Sequence, residues 1–302
     1  MVTAISPARI ARPAPRDLGR SWSVERGALT GLALATPLIV LVAVMLVYPL
    51  GKLVAIALGG EGGVANVAKF FASSAHTRTI TLTFVDSAVV TFVCVTVGAV
   101  IAWSLHTATS RTVKGVLWAA IIVPFLMGSV IKLYALVVML EGRGVVNRAL
   151  MGLGMTDVPI RLLYNQFAVV LGLTYHMLPF AVLPLLAGFQ SISPDLVKAA
   201  ESLGASRIRA LFSTVVPLSI PSMLATGTIV YIICLGFYLT PEVLGGPTTP
   251  FTAALIAQDV FQFYDLTSAS VSALVLLVGS LVVVLLAYAI VGRERLARAV
   301  AA

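Results

Sequence analysis

The sequence is poor in charged residues. Asp, Glu, Lys and Arg make up 11% of its 302 residues, whereas a soluble globular domain carries about 25%. Apolar residues make up 59%, and the mean hydropathy is +1.04. This composition excludes an ordinary soluble domain and indicates an integral membrane protein. The net charge of +8 then reflects Lys and Arg retained on the cytoplasmic side of a membrane, and we expect no nucleic-acid partner.

Residues that build catalytic or metal sites are also scarce. The two cysteines, Cys94 and Cys234, fall in different apolar runs, which predicts neither a disulfide framework nor a metal site. The three histidines lie in three separate segments, so we expect no shared catalytic triad or zinc site. No glycine-rich loop is followed by Lys-Ser or Lys-Thr, the pattern of ATP-hydrolysing proteins. We therefore expect a chain that is not an enzyme and holds no cofactor or metal itself.

Long apolar runs, in contrast, are abundant. A basic tail over residues 1–28 precedes them and another over residues 293–302 follows them, which leaves residues 29–292 as the membrane domain. A shorter helix, re-entrant or interfacial, is predicted over residues 250–266. We expect an all-α membrane protein with six transmembrane helices, because six runs are long enough to cross a bilayer: about 32–50, 80–105, 116–140, 167–189, 218–240 and 270–291.

The distribution of Lys and Arg predicts the orientation of these helices. The two tails and the two loops on their side of the membrane hold 13 of the 20 Lys and Arg residues. The three segments on the opposite side hold 6, and the remaining one, Lys132, lies inside a predicted span. Since cytoplasmic loops carry the excess of positive charge, we expect a multi-pass protein with both termini in the cytoplasm.

One long polar segment interrupts the apolar runs, SPDLVKAAESLGASRIRALFSTVVPLSIP from residue 193 to residue 221. Ser193 is a good N-cap, and Pro194 suits the first turn of a helix. Gly204 is expected to end this first helix, and Pro217 to end a second short one. The two short helices together form a protruding surface that is mostly apolar at its centre and charged at its rim, which fits a cleft on another protein.

This segment resembles the EAA loop of binding-protein-dependent ABC-transporter permeases. The family pattern has a pair of alanines, a glycine and a proline at fixed steps, and Ala199, Ala200, Gly204 and Pro217 stand at those steps. We call residues 193–217 the coupling loop, because the resemblance implies that they contact a partner ATPase.

Lys198 stands where the family has its Glu, so Asp195 or Glu201 can take over the ionic contact of that Glu. The residues on the partner-facing side could equally serve only to solvate the loop. With these alternatives open, the resemblance assigns coupling to the ATPase to Asp195, Lys198, Ala199, Ala200, Glu201, Gly204, Arg207 and Pro217.

Four further stretches look like the spermidine/putrescine branch of these permeases: SVIKLYALVVML, GVVNRAL, HMLPFAVLPL and GFYLTPEVLGGP. The resemblance implies a MetI-like ABC importer permease core over spans two to six, in the bacterial inner membrane. It also implies a second, homologous permease subunit, two ATPase subunits that hold ATP and Mg, and an extracytoplasmic solute-binding protein. The rival class, an ion-coupled secondary transporter, would need inverted repeats and acidic residues at the bilayer midplane, and we find no such repeat.

The branch resemblance suggests an organic cation such as putrescine or spermidine as the solute. Carboxylates and aromatic faces attract ammonium groups, whereas Lys132 would repel a cation if it faced the path. Lys132 could also snorkel to the membrane surface, and another small solute, such as a phosphonate, an opine or iron(III), stays open. The residues we predict to line the substrate path are Asp86, Lys132, Tyr134, Tyr175, Phe237, Tyr238 and Glu242.

Overall fold

The structure is a computed structural model that describes residues 21–59 and 62–291. For residues 21–34, 194, 207, 248, 290 and 291 it describes the backbone alone. The predicted tail over residues 293–302 and the first 20 residues of the predicted N-terminal tail lie outside the described ranges. Every regular element within those ranges is helical, which agrees with the predicted all-α class.

Thirteen α-helices follow one another in the described residues. Two of them are extended by π-helical turns, Leu211–Val215 after α9 and Asp259–Phe263 after α12, and a 3₁₀ turn, Gly246–Thr248, follows α11. The helices are α1 (Ser21–Leu58), α2 (Val64–Ala72), α3 (Ser74–Thr107), α4 (Arg111–Leu126), α5 (Ser129–Leu140), α6 (Val145–Gly152), α7 (Gln166–Gln190), α8 (Pro194–Ser202), α9 (Arg207–Ala210), α10 (Val216–Leu235), α11 (Leu239–Gly245), α12 (Thr252–Gln258) and α13 (Leu266–Val291).

The membrane class predicted from hydropathy is confirmed. Five helical segments are long and apolar enough to cross a membrane, and a sixth span results if one bent pair of segments is counted as a single crossing. That pair is Arg111–Leu126 with Ser129–Gly152, and the five others are Ala35–Leu58, Ser74–Thr107, Gln166–Gln190, Ile208–Leu235 and Leu266–Ala289.

The third span differs from its prediction as one helix over 116–140. The chain leaves the helical conformation at Met127 and Gly128, and the two helical segments of the pair meet at 108°. Pro124 has no N–H to donate to the carbonyl one turn earlier, which weakens the last turn of α4. Gly128 loses more conformational freedom in a helix than any other residue. Together they favour a break that the apolar composition does not reveal.

The loops between the predicted spans hold more helix than expected. α2 lies inside the segment 51–79, α6 lies inside the segment 141–166, and α3 begins at Ser74 rather than near residue 80. The short helix predicted over 250–266 is confirmed as α12 with its π-helical turn. Tyr264 then adopts a left-handed conformation with φ of +54°, which ends this turn before α13 begins.

Asp265 caps the N-terminus of α13. Its carboxylate accepts hydrogen bonds from the Ser268 N–H at 3.0 Å, the Ser268 hydroxyl at 2.7 Å and the Thr267 N–H at 3.1 Å. The bonds from Ser268 are the main reason that the pKa of Asp265 lies below its ordinary value, since they favour the charged carboxylate.

The main core lies where α3, α7 and α10 pack together. α7 is the most buried of the candidate spans. Small residues allow close approach of the helices: a Cβ at Gly98 of α3 would lie 3.2 Å from the Ala181 side chain of α7. Val90, Leu173 and Val230 are fully buried at this interface. Close packing of small residues is how helices associate in a membrane.

The described residues up to Lys52 form one compact unit, and the described residues from Leu53 onward form a second. In the first unit, the apolar side chains from Leu38 to Tyr48 are exposed. Two prolines, Pro37 and Pro49, lie within this helix, and neither interrupts it. Exposed apolar surface of this extent on a helix is what a lipid-facing span presents.

Candidate functional site

The first predicted site is the coupling loop, residues 193–217, which joins α7 to α10. Its start follows the prediction: the Ser193 hydroxyl accepts a hydrogen bond from the Asp195 N–H at 3.3 Å, and Pro194 occupies the first turn of α8. An N-cap of this kind contributes about 1 kcal/mol. Ser193 therefore fixes the position at which α8 begins.

Gly204 makes the turn that follows α8. Its φ of +88° lies in the left-handed region, where a residue with a Cβ is strained. The Gly204 N–H donates to the Glu201 carbonyl at 2.9 Å. The Ala205 N–H donates to the Ala200 carbonyl at 3.1 Å, so the turn satisfies carbonyls that a helix end leaves free. A Cβ built at Gly204 would meet no atom within 4 Å, so glycine is required by the backbone and not by crowding.

The second half of the coupling loop differs from its prediction. α9 runs through the π-helical turn Leu211–Val215 directly into α10, so Pro217 lies within a continuous helical segment and does not end a helix. Pro217 cannot donate a hydrogen bond to the Ser213 carbonyl. A π-helical turn shifts the hydrogen-bond register, which lets the segment continue past the missing donor.

The predicted coupling residues lie mostly at the surface. Lys198 Nζ and Asp195 Oδ1 are 3.0 Å apart within α8, and their side chains are 73% and 82% exposed. An exposed pair of this kind is worth about 0–1 kcal/mol. Ala200 is half-buried, and the side chain of Arg207 lies outside the described part of the chain. The exposed members of the set are Asp195, Lys198, Ala199, Glu201, Gly204 and Pro217.

Three large apolar side chains in the same loop are also exposed. Leu203 is 90% exposed, Ile208 is 73% exposed and Phe212 is 65% exposed. The sequence predicts that the apolar surface of this segment fits a cleft on another protein, but these three residues were not included among the coupling residues. Exposed apolar residues on a loop rimmed by charges are typical of a protein interaction surface, and their occurrence in the most polar internal segment is the sequence signal that could have identified them.

A cavity of about 720 Å³ lies between the coupling loop and the end of α3. Two charged residues, Lys198 and Glu201, line it, and the remaining lining is mainly apolar and aromatic. The α3 side is formed by Trp103, His106 and Thr107, and the opposite side is formed by Ile192 and by residues of the coupling loop that include Val197, Ile208, Leu211, Phe212 and Val215.

The residues of the second predicted site, the substrate path, differ in burial and in the contacts that they make. Asp86 is completely buried on α3, and its Oδ1 accepts a hydrogen bond from Gln166 Nε2 at 2.6 Å. Gln166 is exposed at the first position of α7. Asp86 therefore joins α3 to α7 and does not present a free carboxylate at a surface. Gln166 was not among the predicted residues.

Lys132 and Phe237 lie around His176, which the prediction also omitted. Lys132 is 4% exposed and His176 is 8% exposed, and the two side chains interact electrostatically. The Ser129 hydroxyl and His176 Nε2 are 3.3 Å apart. The ring of Phe237 packs edge-on against the imidazole, with 4.8 Å between ring centroids. We call these four residues the buried junction.

The other predicted path residues make no recorded ring or hydrogen-bond contact with His176 in the described part of the chain. Tyr134 is 62% exposed and Tyr238 is 44% exposed, while Glu242 is exposed and Tyr175 is half-buried. Such aromatic groups serve equally as interfacial anchors of a membrane protein. Their position at the surface of the chain makes them available to lipid, to another subunit or to a solute.

Gly172 allows α11 to pack closely on α7. A Cβ at this position would lie 2.8 Å from Thr240 Cγ2 and would also clash with the side chain of Leu244. The Tyr164 N–H donates to the Leu244 carbonyl at 2.8 Å, which ties the segment before α7 to the same helix. α11, which contains Glu242, is thus held against α7, which contains Tyr175.

The described residues contain no group of three or more His, Cys, Asp or Glu side chains that could hold a metal ion. Cys94 and Cys234 are both buried and carry free thiols. Both pack in the main core as small apolar residues, in the role that the sequence indicates for them.

Comparisons with known proteins address the class of the chain directly. The family described as binding-protein-dependent transport system inner membrane component matches residues 94–296, which is more than half of the sequence. The match includes the coupling loop and the buried junction.

Two similar curated proteins are both named spermidine/putrescine transport system permease protein PotB. The protein of Escherichia coli (strain K12) is 33% identical over 158 residues, which are 52% of this chain and 57% of that protein. The protein of Haemophilus influenzae is 30% identical over 160 residues, which are 53% of this chain and 56% of that protein. The chain thus spans a little more than half the length of these relatives.

A solved structure shares the fold over nearly the whole chain. It is the crystal structure of a bacterial alginate ABC transporter in complex with an alginate pentasaccharide-bound periplasmic protein. One of its chains superposes with a TM-score of 0.73 at 21% sequence identity and covers 91% of this chain and 98% of its own length. With the coupling loop and the helical core, these matches show that the chain belongs to the family of inner membrane components of binding-protein-dependent transport systems.

Proposed function

We propose that this chain is the permease subunit of an ATP-driven importer and passes a small solute from a binding protein into the cytoplasm. The observation that supports this proposal most strongly is the exposed apolar surface of the coupling loop. It presents exposed Leu203, Ile208 and Phe212 beside a turn that requires Gly204. An apolar surface that a charged rim surrounds is suited to a protein cleft, and the ATPase subunits are the partners that the proposal assigns to it.

The proposal places the coupling loop and both termini in the cytoplasm. The excess of Lys and Arg on that side supports this orientation. A cysteine introduced at Lys198 tests it, because Lys198 is exposed and both native thiols are buried. A membrane-impermeant thiol reagent should label this variant only in inside-out vesicles. Labelling in intact spheroplasts would show that the coupling loop lies on the outer side of the membrane, opposite to the proposal.

Import requires three kinds of partner in this proposal. A second, homologous permease subunit completes the path, and two ATPase subunits, which bind ATP together with Mg, supply the free energy of ATP hydrolysis. A solute-binding protein delivers the solute on the outer side. The test is reconstitution of the permease with the ATPase and binding protein encoded beside it. Uptake that needs ATP, ATPase and binding protein supports the proposal, whereas uptake by the isolated chain along a proton gradient would indicate a secondary transporter.

For the solute we propose a polyamine such as putrescine or spermidine. The support is the similarity to the PotB proteins, together with exposed Tyr134, Tyr238 and Glu242, side chains of the types that attract ammonium groups. Titration of the binding protein with putrescine, spermidine and ornithine tests the proposal. Tight binding of a polyamine with loss of its uptake in a permease deletion is the expected result. A binding protein that ignores polyamines would exclude this solute and leave the transporter class unchanged.

A further inference from the structure

Lys132 is an unusual residue for the interior of a membrane protein. It is 4% exposed, and no side chain of the described residues forms a hydrogen bond or an ion pair with it. Most of the side chain is enclosed while its ammonium reaches the surface of the chain, and an ammonium without a counter-ion within a membrane span is costly. A group of this kind is retained where its charge has a function, and in membrane proteins such groups often act on ions or solutes.

Two breaks in the helical structure meet beside this charge. α4 and α5 are separated at Met127 and Gly128, and α10 and α11 are separated by residues 236–238. Ser129, the first residue of α5, and Phe237, in the second break, both contact His176 of α7. Non-helical backbone at membrane depth is tolerated only where protein buries it or where it lines a polar cavity. His176 is therefore the point at which the two breaks are packed together.

Two features contribute positive charge at the buried junction. α5 has twelve residues, and Gly128 precedes it as an N-cap without a side chain, so the free N–H groups of its first turn carry the positive end of the helix dipole. Lys132 adds a full charge within the same turn. Its backbone N–H donates to the Gly128 carbonyl at 3.2 Å, which is the first helical hydrogen bond of α5 after the break. Asp86 accepts a hydrogen bond from the neutral Gln166 through Oδ1, its Oδ2 has no hydrogen-bond partner, and no ion pair joins it to Lys132 in the described part of the chain.

We propose that Lys132 and the N-terminus of α5 form an electrostatic barrier that keeps the resting permease closed to cations. Positive ends of broken helices and buried basic side chains exclude protons and cations from other membrane pathways by the same physics. A permease needs such a barrier because the membrane potential drives every cation inward through an imperfect seal. Ser129, His176 and Phe237 hold the two helix breaks together around this charge.

The inference goes beyond the proposed import function, because it concerns the closed state without ATP, binding protein or solute. It also specifies what opening has to achieve. A cationic solute can pass only after the two breaks separate and Lys132 moves or becomes hydrated. An uncharged residue of similar length at position 132 should therefore leave the helices in place and remove the discrimination against cations.

The test uses the assembled transporter in liposomes, without ATP or binding protein. Passive leak is measured for methylammonium as the cation, iodide as the anion and glycerol as the neutral solute. In Lys132→Met we expect the methylammonium leak to rise by about tenfold or more, since the barrier is electrostatic, while the iodide and glycerol leaks stay near wild type. Lys132→Arg should retain the barrier. The matched control is Lys114→Met, which removes an exposed Lys from α4 and should change none of the three leaks.

Two outcomes would overturn the proposal. One is an unchanged methylammonium leak in Lys132→Met. The other is an equal rise for all three solutes, which would identify a steric seal instead of an electrostatic one. If Lys132→Met does not assemble, the wild-type protein alone tests the proposal. Its methylammonium leak should be lower than its iodide leak. The reverse order would contradict an electrostatic barrier to cations. ATP-dependent import by the wild type is measured in parallel, so failure of the import function is recognised separately.

Discussion

Substitution of Gly204 perturbs the coupling loop without touching the membrane helices. The residue has φ of +88°, and a Cβ there would meet no neighbouring atom within 4 Å. The penalty for a side chain thus comes from the backbone conformation alone. For an L-residue in the left-handed region this penalty is about 1–2 kcal/mol. Since about 1.4 kcal/mol is a factor of ten in an equilibrium, the native turn would be populated roughly five- to thirty-fold less relative to alternative conformations.

Three substitutions at Gly204 should increase this conformational penalty stepwise. Gly204→Asn should have the smallest effect, because Asn tolerates the left-handed conformation. Gly204→Ala should be intermediate and Gly204→Val the most severe, since Val is β-branched. The matched control is Gly115→Ala on α4, where a Cβ also has open space but the backbone has no positive φ. This control should retain full activity.

The assay combines three measurements on the same membranes: the amount of inserted permease, the ATPase activity that the loaded binding protein stimulates, and solute uptake. We expect insertion to stay near wild type for every variant, and stimulated ATPase and uptake to fall together in the order Asn, Ala, Val. Wild-type uptake by Gly204→Val would refute the reasoning, because a strained turn could not then be part of the contact that transmits ATP hydrolysis. Loss of insertion in step with activity would also refute it, since the defect would then lie in folding.

Other substitutions test further parts of the structure. Phe212→Ala should weaken ATPase binding by about tenfold or more, as expected for an exposed aromatic anchor, whereas Phe92→Ala, which truncates a similarly exposed ring on α3, should leave that binding unchanged in a pull-down. Gly172→Val should lower the thermal stability of the purified protein by about 1–3 kcal/mol through overpacking of α11 on α7, and unchanged thermal unfolding would contradict this packing. Asp265→Ala should cost about 1 kcal/mol at neutral pH through loss of the cap. Because hydrogen bonds from Ser268 lower the pKa of Asp265, its contribution should disappear as the pH falls through that lowered value, and a cost that persists in acid would exclude the charged cap.

The sequence predicts the membrane class and the coupling loop because both depend on local patterns. Apolar runs of span length and the excess of Lys and Arg on one side need no tertiary information. The cap at Ser193 and the turn at Gly204 are likewise decided by residues within a few positions. The end of the loop could not be placed in the same way, since Pro217 is compatible either with a helix stop or with a π-helical turn that passes it.

The buried junction depends on contacts that no local pattern reveals. Lys132 belongs to α5, His176 to α7 and Phe237 to the segment between α10 and α11, so their proximity arises only from packing. The hydrogen bond between Asp86 and Gln166 likewise joins residues 80 positions apart. The break at Gly128 is hidden for a different reason: apolar residues continue on both sides of it, and hydropathy cannot distinguish one straight helix from two bent ones.

The most direct test of the central claim is uptake by liposomes that contain the permease with its ATPase and binding protein. The account predicts uptake only when ATP is inside, loaded binding protein is outside and residue 204 is Gly. Replacement of this residue by Val should reduce uptake and stimulated ATP hydrolysis together while the complex remains inserted. Uptake that continues without ATP, or that an ion gradient drives through the chain alone, would contradict the account.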